Sequence, residues 1–158
     1  MKFEAQAKEL PEQFVACVHH VGPYNQIGKA FEKLFQWAGQ KGLIQFPKTQ
    51  TLAIYYSDKE KVAESELRSS ACLTVPEGTP VGGEIGSMTV AGGEYALGRF
   101  ELAADEYPLA WYAMMGVWLP ESGYQPDDRL SYELYHNDCS QHPEGKAIVD
   151  ICVPVKPM

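Results

Sequence analysis

The feature that most constrains this sequence is that it matches itself. Shifted by 80 residues, Ala30 meets Ala110, Phe31 meets Trp111, Leu34 meets Met114 and Phe35 meets Met115. Further along, Tyr55 meets Tyr135, Asp58 meets Asp138, Glu64 meets Glu144, Cys72 meets Cys152 and Val75 meets Val155. Self-similarity at this period points to two copies of one supersecondary module, neither with enough core to stand alone. The first copy predicts a strand at 13–21, stopped by Gly22-Pro23-Tyr24-Asn25. A helix follows at 26–38, with Ile27, Ala30, Phe31, Leu34, Phe35 and Ala38 at helical spacing. Strands at 51–57 and 67–75 complete it. The second copy repeats the plan: a strand at 93–101, a helical stripe of Tyr107, Ala110, Trp111, Met114, Met115 and Trp118, and strands at 130–137 and 147–155. The expected fold is therefore α+β: a tandem βαββ duplication about a pseudo-twofold axis, an antiparallel sheet with helices on one side and a central groove. It forms one domain over the 158 residues, with modules at about 1–80 and 81–158.

Composition narrows the function classes. No apolar run reaches the roughly 18 residues a membrane span needs. The N-terminus is polar and mixed in charge, which predicts a cytoplasmic protein without a signal peptide. The four cysteines, Cys17, Cys72, Cys139 and Cys152, are then expected as reduced thiols. The formal net charge is −8, which disfavours direct binding to nucleic acid and suits cationic ligands or a basic protein partner.

One strand carries the chemistry. In Leu-Ser-Tyr-Glu-Leu-Tyr-His-Asn, Tyr132, Leu134 and His136 alternate with Glu133, Tyr135 and Asn137. A carboxylate in a strand interior is costly to desolvate and needs a partner, a proton or a cationic ligand. The plain alternative is a solvent-facing Glu on a half-exposed strand. The repeat sharpens the choice, because the counterpart of Glu133 is Ala53 and packing therefore does not require an acid. Leu52, Ile54, Tyr132 and Leu134 are assigned to a helix-covered core, and Ala53, Tyr55, Glu133 and Tyr135 to an open groove between modules. Tyr24, Tyr55, Tyr95, Trp111, Tyr112, Trp118 and Tyr135 are the aromatic supply. Rings around an acid suit a flat, lipophilic cation. Trp111 and Trp118 also fit a simple core role at helical spacing.

Other motifs carry less. His136, Cys139 and His142 have the wrong spacing and too few ligands for a metal site, and no cofactor is expected. His19 and His20 fall on opposite strand faces and cannot chelate together. Gly82-Gly83 and Gly92-Gly93 open no phosphate-cradling helix, and no nucleophile elbow occurs.

Several segments stand out together: His20-Val21-Gly22-Pro23-Tyr24, Ile27-Gly28 and Phe35-Gln36-Trp37. They continue in 118–124, Leu-Pro-Glu-Ser-Gly-Tyr preceded by Trp118, then in Tyr132-Glu133-Leu134-Tyr135 with Asn137 and in 150–156. With these segments the chain resembles the GyrI-like small-molecule-binding family, which includes the DNA gyrase inhibitory protein and the effector-binding domains of AraC-type and multidrug-sensing regulators. The resemblance implies paired βαββ modules around a groove whose carboxylate, here Glu133, meets cationic aromatic ligands. It also implies a stand-alone member, a drug or metabolite binder or a gyrase-inhibitory protein, with DNA gyrase as a partner. The alternative it carries is hydrolysis of cyclopropane-bearing alkylating toxins, with Glu133 as general acid/base. Binding is favoured, because an enzyme needs a second positioned polar group and only tyrosines are candidates.

Overall fold

The computed structural model describes residues 3–45, 48–56, 61–137 and 142–158. The described residues form a mixed α+β fold whose strands pair antiparallel throughout. The chain divides into two compact units. One is continuous, Glu12–Val90; the other is split, Met1–Pro11 with Ala91–Met158.

In the continuous unit the strand order is β3 (Thr51–Tyr55), β4 (Arg68–Thr74), β2 (Gln13–Val21) and β5 (Gly86–Val90). Helix α1 (Gly28–Gln40) packs on β2 and β4 and buries Ala30, Leu34 and Ala38, three of the six residues of its expected stripe. The helix begins two residues later than its spacing predicts, because 24–26 forms a separate short helical turn after Pro23.

In the split unit the order is β1 (Glu4–Leu10), β6 (Gly93–Leu102), β9 (Ala147–Pro157) and β8 (Tyr132–Tyr135), with β7 (Tyr124–Pro126) on the far end of β9. The apolar run of β9 makes it a strand buried on both faces, with β6 along one edge and β8 and β7 along the other. Helix α2 (Tyr107–Tyr112) continues as a π-helical segment, Ala113–Trp118, and ends in the turn Leu119–Glu121. It covers one sheet face, where Ala110, Met114 and Leu119 meet Ala96, Phe100, Val149, Ile151 and Val153. The wider π turn rotates Met115 out of the expected stripe, and Met115 is exposed.

Strand registers coincide under the 80-residue shift. Cys17 pairs with Cys72 as Leu97 pairs with Cys152, and Leu52 pairs with Cys72 as Tyr132 pairs with Cys152. The leading strands are exchanged. β1 lies 80 residues before β5, yet β1 pairs with β6 (Gln6 with Leu97) and β5 with β2 (Gly86 with Cys17). The units are therefore cut at 12 and 90 rather than at the expected module boundary near residue 80. Sequence reasoning missed β1, β5 and β7. The first two are edge strands of small and polar residues, with little apolar alternation to mark them. The expected strands at 51–57 and 130–137 are shorter than predicted, and positions 57–60 and 138–141 lie outside the described residues.

Candidate functional site

The site is built on β8. Antiparallel partners face the same side, so the pairing of Glu133 with Ile151 and of Tyr135 with Val149 puts both on the face covered by α2. This corrects the face assignment made from periodicity. In the split unit Glu133 and Tyr135 lie on the helix side, and Tyr132 and Leu134 lie on the other. Alternation separates the two sets but does not say which one the helix covers, and here Tyr132, Glu133 and Leu134 are all buried.

Glu133 is 2% exposed, so the solvent-facing alternative is excluded. The indole N–H of Trp111, on α2, donates to Glu133 Oε2 at 2.6 Å. The hydroxyl of Tyr135, two residues along the same strand face, donates to Oε1 at 2.5 Å. Both donors are neutral and short, as hydrogen bonds to a carboxylate are. Their rings are only partly buried and pack against the apolar core of this unit. An acid is thus fixed between an indole and a phenol at the edge of a hydrophobic cluster. The arrangement sets a carboxyl group and aromatic area side by side, a combination that can engage an organic cation.

Of the other expected site residues, Trp118 is partly buried against the same core. Tyr95 is on the opposite face of the split unit: its ring meets Tyr132 edge-on at 5.6 Å, Arg129 lies over it at 4.8 Å, and its hydroxyl donates to the Ala91 carbonyl at 2.5 Å. Tyr95 is a framework residue and does not join Glu133. Tyr24 and Tyr55 belong to the continuous unit, where their rings pair at 4.6 Å.

Sequence reasoning missed a second polar centre. On the face opposite Glu133, Arg99 donates to Asp150 through Nε at 2.6 Å and Nη2 at 3.0 Å, and His136 Nε2 lies 2.6 Å from the same carboxylate. Burial alone would push the Asp150 carboxyl up, but the bonds to His136 and Arg99 outweigh it and hold it below the usual range. At the positions 80 residues earlier, His19 Nδ1 lies 2.6 Å from Ser70 Oγ, and Tyr56 donates to the same hydroxyl at 3.0 Å. Asp150 could have been found as Glu133 was, as an acid in an apolar strand facing a repeat counterpart, Ser70, that bears no charge. As for the metal candidates, His136 is engaged by Asp150, His142 pairs with Glu101 at 3.0 Å, and Cys139 lies outside the described residues.

The sequence matches the family described as GyrI-like small molecule binding domain over residues 3–156. A protein of Edwardsiella piscicida named DNA gyrase inhibitor is 30% identical over 158 residues, covering 97% of this chain and 98% of its own length. Among solved structures, the C-terminal domain of EcmrR superposes with a TM-score of 0.79 at 20% identity, covering both chains fully. SAV2435, solved bound to tetraphenylphosphonium, gives a TM-score of 0.60 at 13% identity and covers 97% of this chain and 94% of its own. At these identities the two structures speak for the fold.

Proposed function

The chain belongs to the GyrI-like small-molecule-binding family, and from that premise we propose that it takes up lipophilic or cationic aromatic ligands at a site centred on Glu133. The observation that carries this reading is the buried carboxylate held between Trp111 and Tyr135. Burying a carboxylate costs several kcal/mol even after relaxation. A ligand cation resting on the two rings offsets that cost, because it meets the charge in a low-dielectric setting. The ligand seen on the distant structural relative SAV2435, tetraphenylphosphonium, has this chemistry. Trp118 extends the aromatic wall in this reading. The hydrolase alternative gains no support from the family match or from the curated relatives.

The test is a thermal shift with tetraphenylphosphonium on wild type and Glu133→Gln. Ligand at one hundred times its Kd stabilises a protein by about 2.7 kcal/mol, a readily measured shift. The wild type is expected to shift and Glu133→Gln to shift far less. Equal shifts in both proteins would remove Glu133 from the site.

DNA gyrase is proposed as a macromolecular partner on the strength of the relatives' name and the acidic charge of −8. A supercoiling assay with purified protein tests this, and no effect at high molar excess removes it.

A further inference from the structure

The continuous unit holds groups that ligand uptake at Glu133 does not use. Cys17 on β2 and Cys72 on β4 are direct antiparallel partners. Both are free thiols and both are buried. Opposed residues on antiparallel strands keep their Cα atoms about 4.5–5.5 Å apart, inside the roughly 4.4–6.8 Å that a disulfide spans. Cys17 also lines a cavity of about 400 Å³ together with His19, Tyr56, Arg68, Gly86 and Met88. On its other flank the partner of Cys17 is Gly86. A Cβ built at Gly86 would lie 3.7 Å from Cys17 Sγ, so the glycine places no side chain against that flank of the sulfur.

We propose that Cys17 and Cys72 are a redox-active dithiol that a small hydroperoxide, entering through this cavity, converts to a cross-strand disulfide. The Cys17 sulfur attacks the peroxide, the O–O bond breaks, and the departing alkoxide or hydroxide takes the Cys17 proton. Cys17 is then a sulfenic acid. The Cys72 sulfur displaces its oxygen, the S–S bond forms, and hydroxide leaves with the Cys72 proton as water. The two electrons lost by the thiols reside on the reduced peroxide oxygen.

Two observations support the assignment of roles. The contact with Cys72 lowers the Cys17 thiol against the opposing effect of burial, while Cys72 is raised by the same contact and by its own burial. The residues 80 positions later are Leu97 and Cys152, so the packing accepts an aliphatic where Cys17 stands. Cys152, with no thiol opposite, is pushed up by burial to about 12 and serves as the internal control.

The experiment exposes the reduced full chain, in a Cys139→Ser background, to hydrogen peroxide, followed by alkylation and peptide mapping. The expected product is a peptide cross-linked between Cys17 and Cys72, with Cys152 still open to alkylation after unfolding. Cys72→Ala is expected to stop at a sulfenic acid on Cys17, trapped by dimedone. Gly86→Val, which covers the sulfur without removing it, is expected to slow cross-linking by about tenfold or more, since thiol oxidation follows access. Cys17 and Cys72 remaining as alkylatable as Cys152 would overturn the proposal. So would a dimedone adduct absent from Cys17 in Cys72→Ala, or a wild-type rate in Gly86→Val.

Discussion

The indole of Trp111 and the carboxylate of Glu133 are joined by a 2.6 Å hydrogen bond that ties α2 to the strand beneath it. Trp111→Phe keeps most of the ring and deletes the donor. Removing one partner of a buried charged group costs about 1.5–3 kcal/mol, and that loss is expected in urea unfolding of the ligand-free protein. Stability unchanged by Trp111→Phe would mean the carboxylate does not depend on the indole.

Glu133→Gln is expected to behave differently. The amide oxygen accepts from Trp111 and the amide nitrogen donates to the Tyr135 oxygen, so the hydrogen bonds survive without the buried charge. Neutralising the side chain removes the cost of burying a charge, several kcal/mol even after relaxation. The variant is therefore expected to unfold at the same or higher urea concentration while its affinity for tetraphenylphosphonium falls at least about tenfold, 1.4 kcal/mol. A variant that loses stability and affinity together points instead to a structural carboxylate.

Asp150 governs the acid limb of stability. Its folded pKa lies below the ordinary value near 3.9, so the native state binds fewer protons than the unfolded chain there. The stability it contributes is fully present above that value and is lost as pH falls through the lowered folded pKa. Asp150→Asn is expected to cost about 1.5–3 kcal/mol at neutral pH and to flatten the decline below about pH 4. Urea midpoints at stepped pH check this; parallel curves for the two proteins would exclude the Arg99–Asp150–His136 network as the cause.

How much of this was legible in the sequence follows from what each signal measures. Helical spacing identified both helices, because Ala30, Leu34 and Ala38 on one and Ala110 and Met114 on the other are core residues by periodicity. The repeat singled out Glu133, because Ala53 occupies the matching place. The face of Glu133 was not legible: strand alternation has two phases, and burial on both faces of Tyr132–Leu134 removes the polar side that would have told them apart. Asp150 carries the same signal as Glu133, an acid matched to an uncharged Ser70, but its network is not legible. Its partners Arg99 and His136 lie 51 and 14 residues away and meet it only through strand register. The edge strands β1 and β5 were unreadable because they carry Gln, Lys, Glu, Ser and Gly where a buried strand carries branched or aromatic residues.

Gly98 marks how closely the helical segment sits on the sheet. A Cβ there would collide with Met114 Sδ, on the face covered by that segment. Gly98→Ala is expected to cost about 1–3 kcal/mol by overpacking. In a Met114→Ala background the nearest clash is gone and only Phe100 Cε2, at 3.0 Å, still crowds the new Cβ, so the double-mutant cycle should recover much of that cost. Additive effects in the cycle would show that the methionine already moves aside.

The exchanged leading strands make a prediction about which part of the molecule each terminus supports. Residues 4–10 pair with β6 from Gly93 to Arg99 and place none of their ladder on the strand that follows them in sequence. Phe3 stacks on the buried Phe100 at 4.8 Å, which extends the attachment into the core under α2. Deleting residues 1–11 therefore strips an edge from the split unit and leaves every strand pairing of the continuous unit intact. Backbone groups of β6 that lose partners must turn to water or open the strand, and local opening appears as faster amide exchange. Hydrogen exchange on the truncated chain is expected to lose protection in β6 and β9 while β2 and β4 keep theirs. A loss of protection centred on β2 instead would mean that the first strand supports its sequence neighbour and not its exchanged partner.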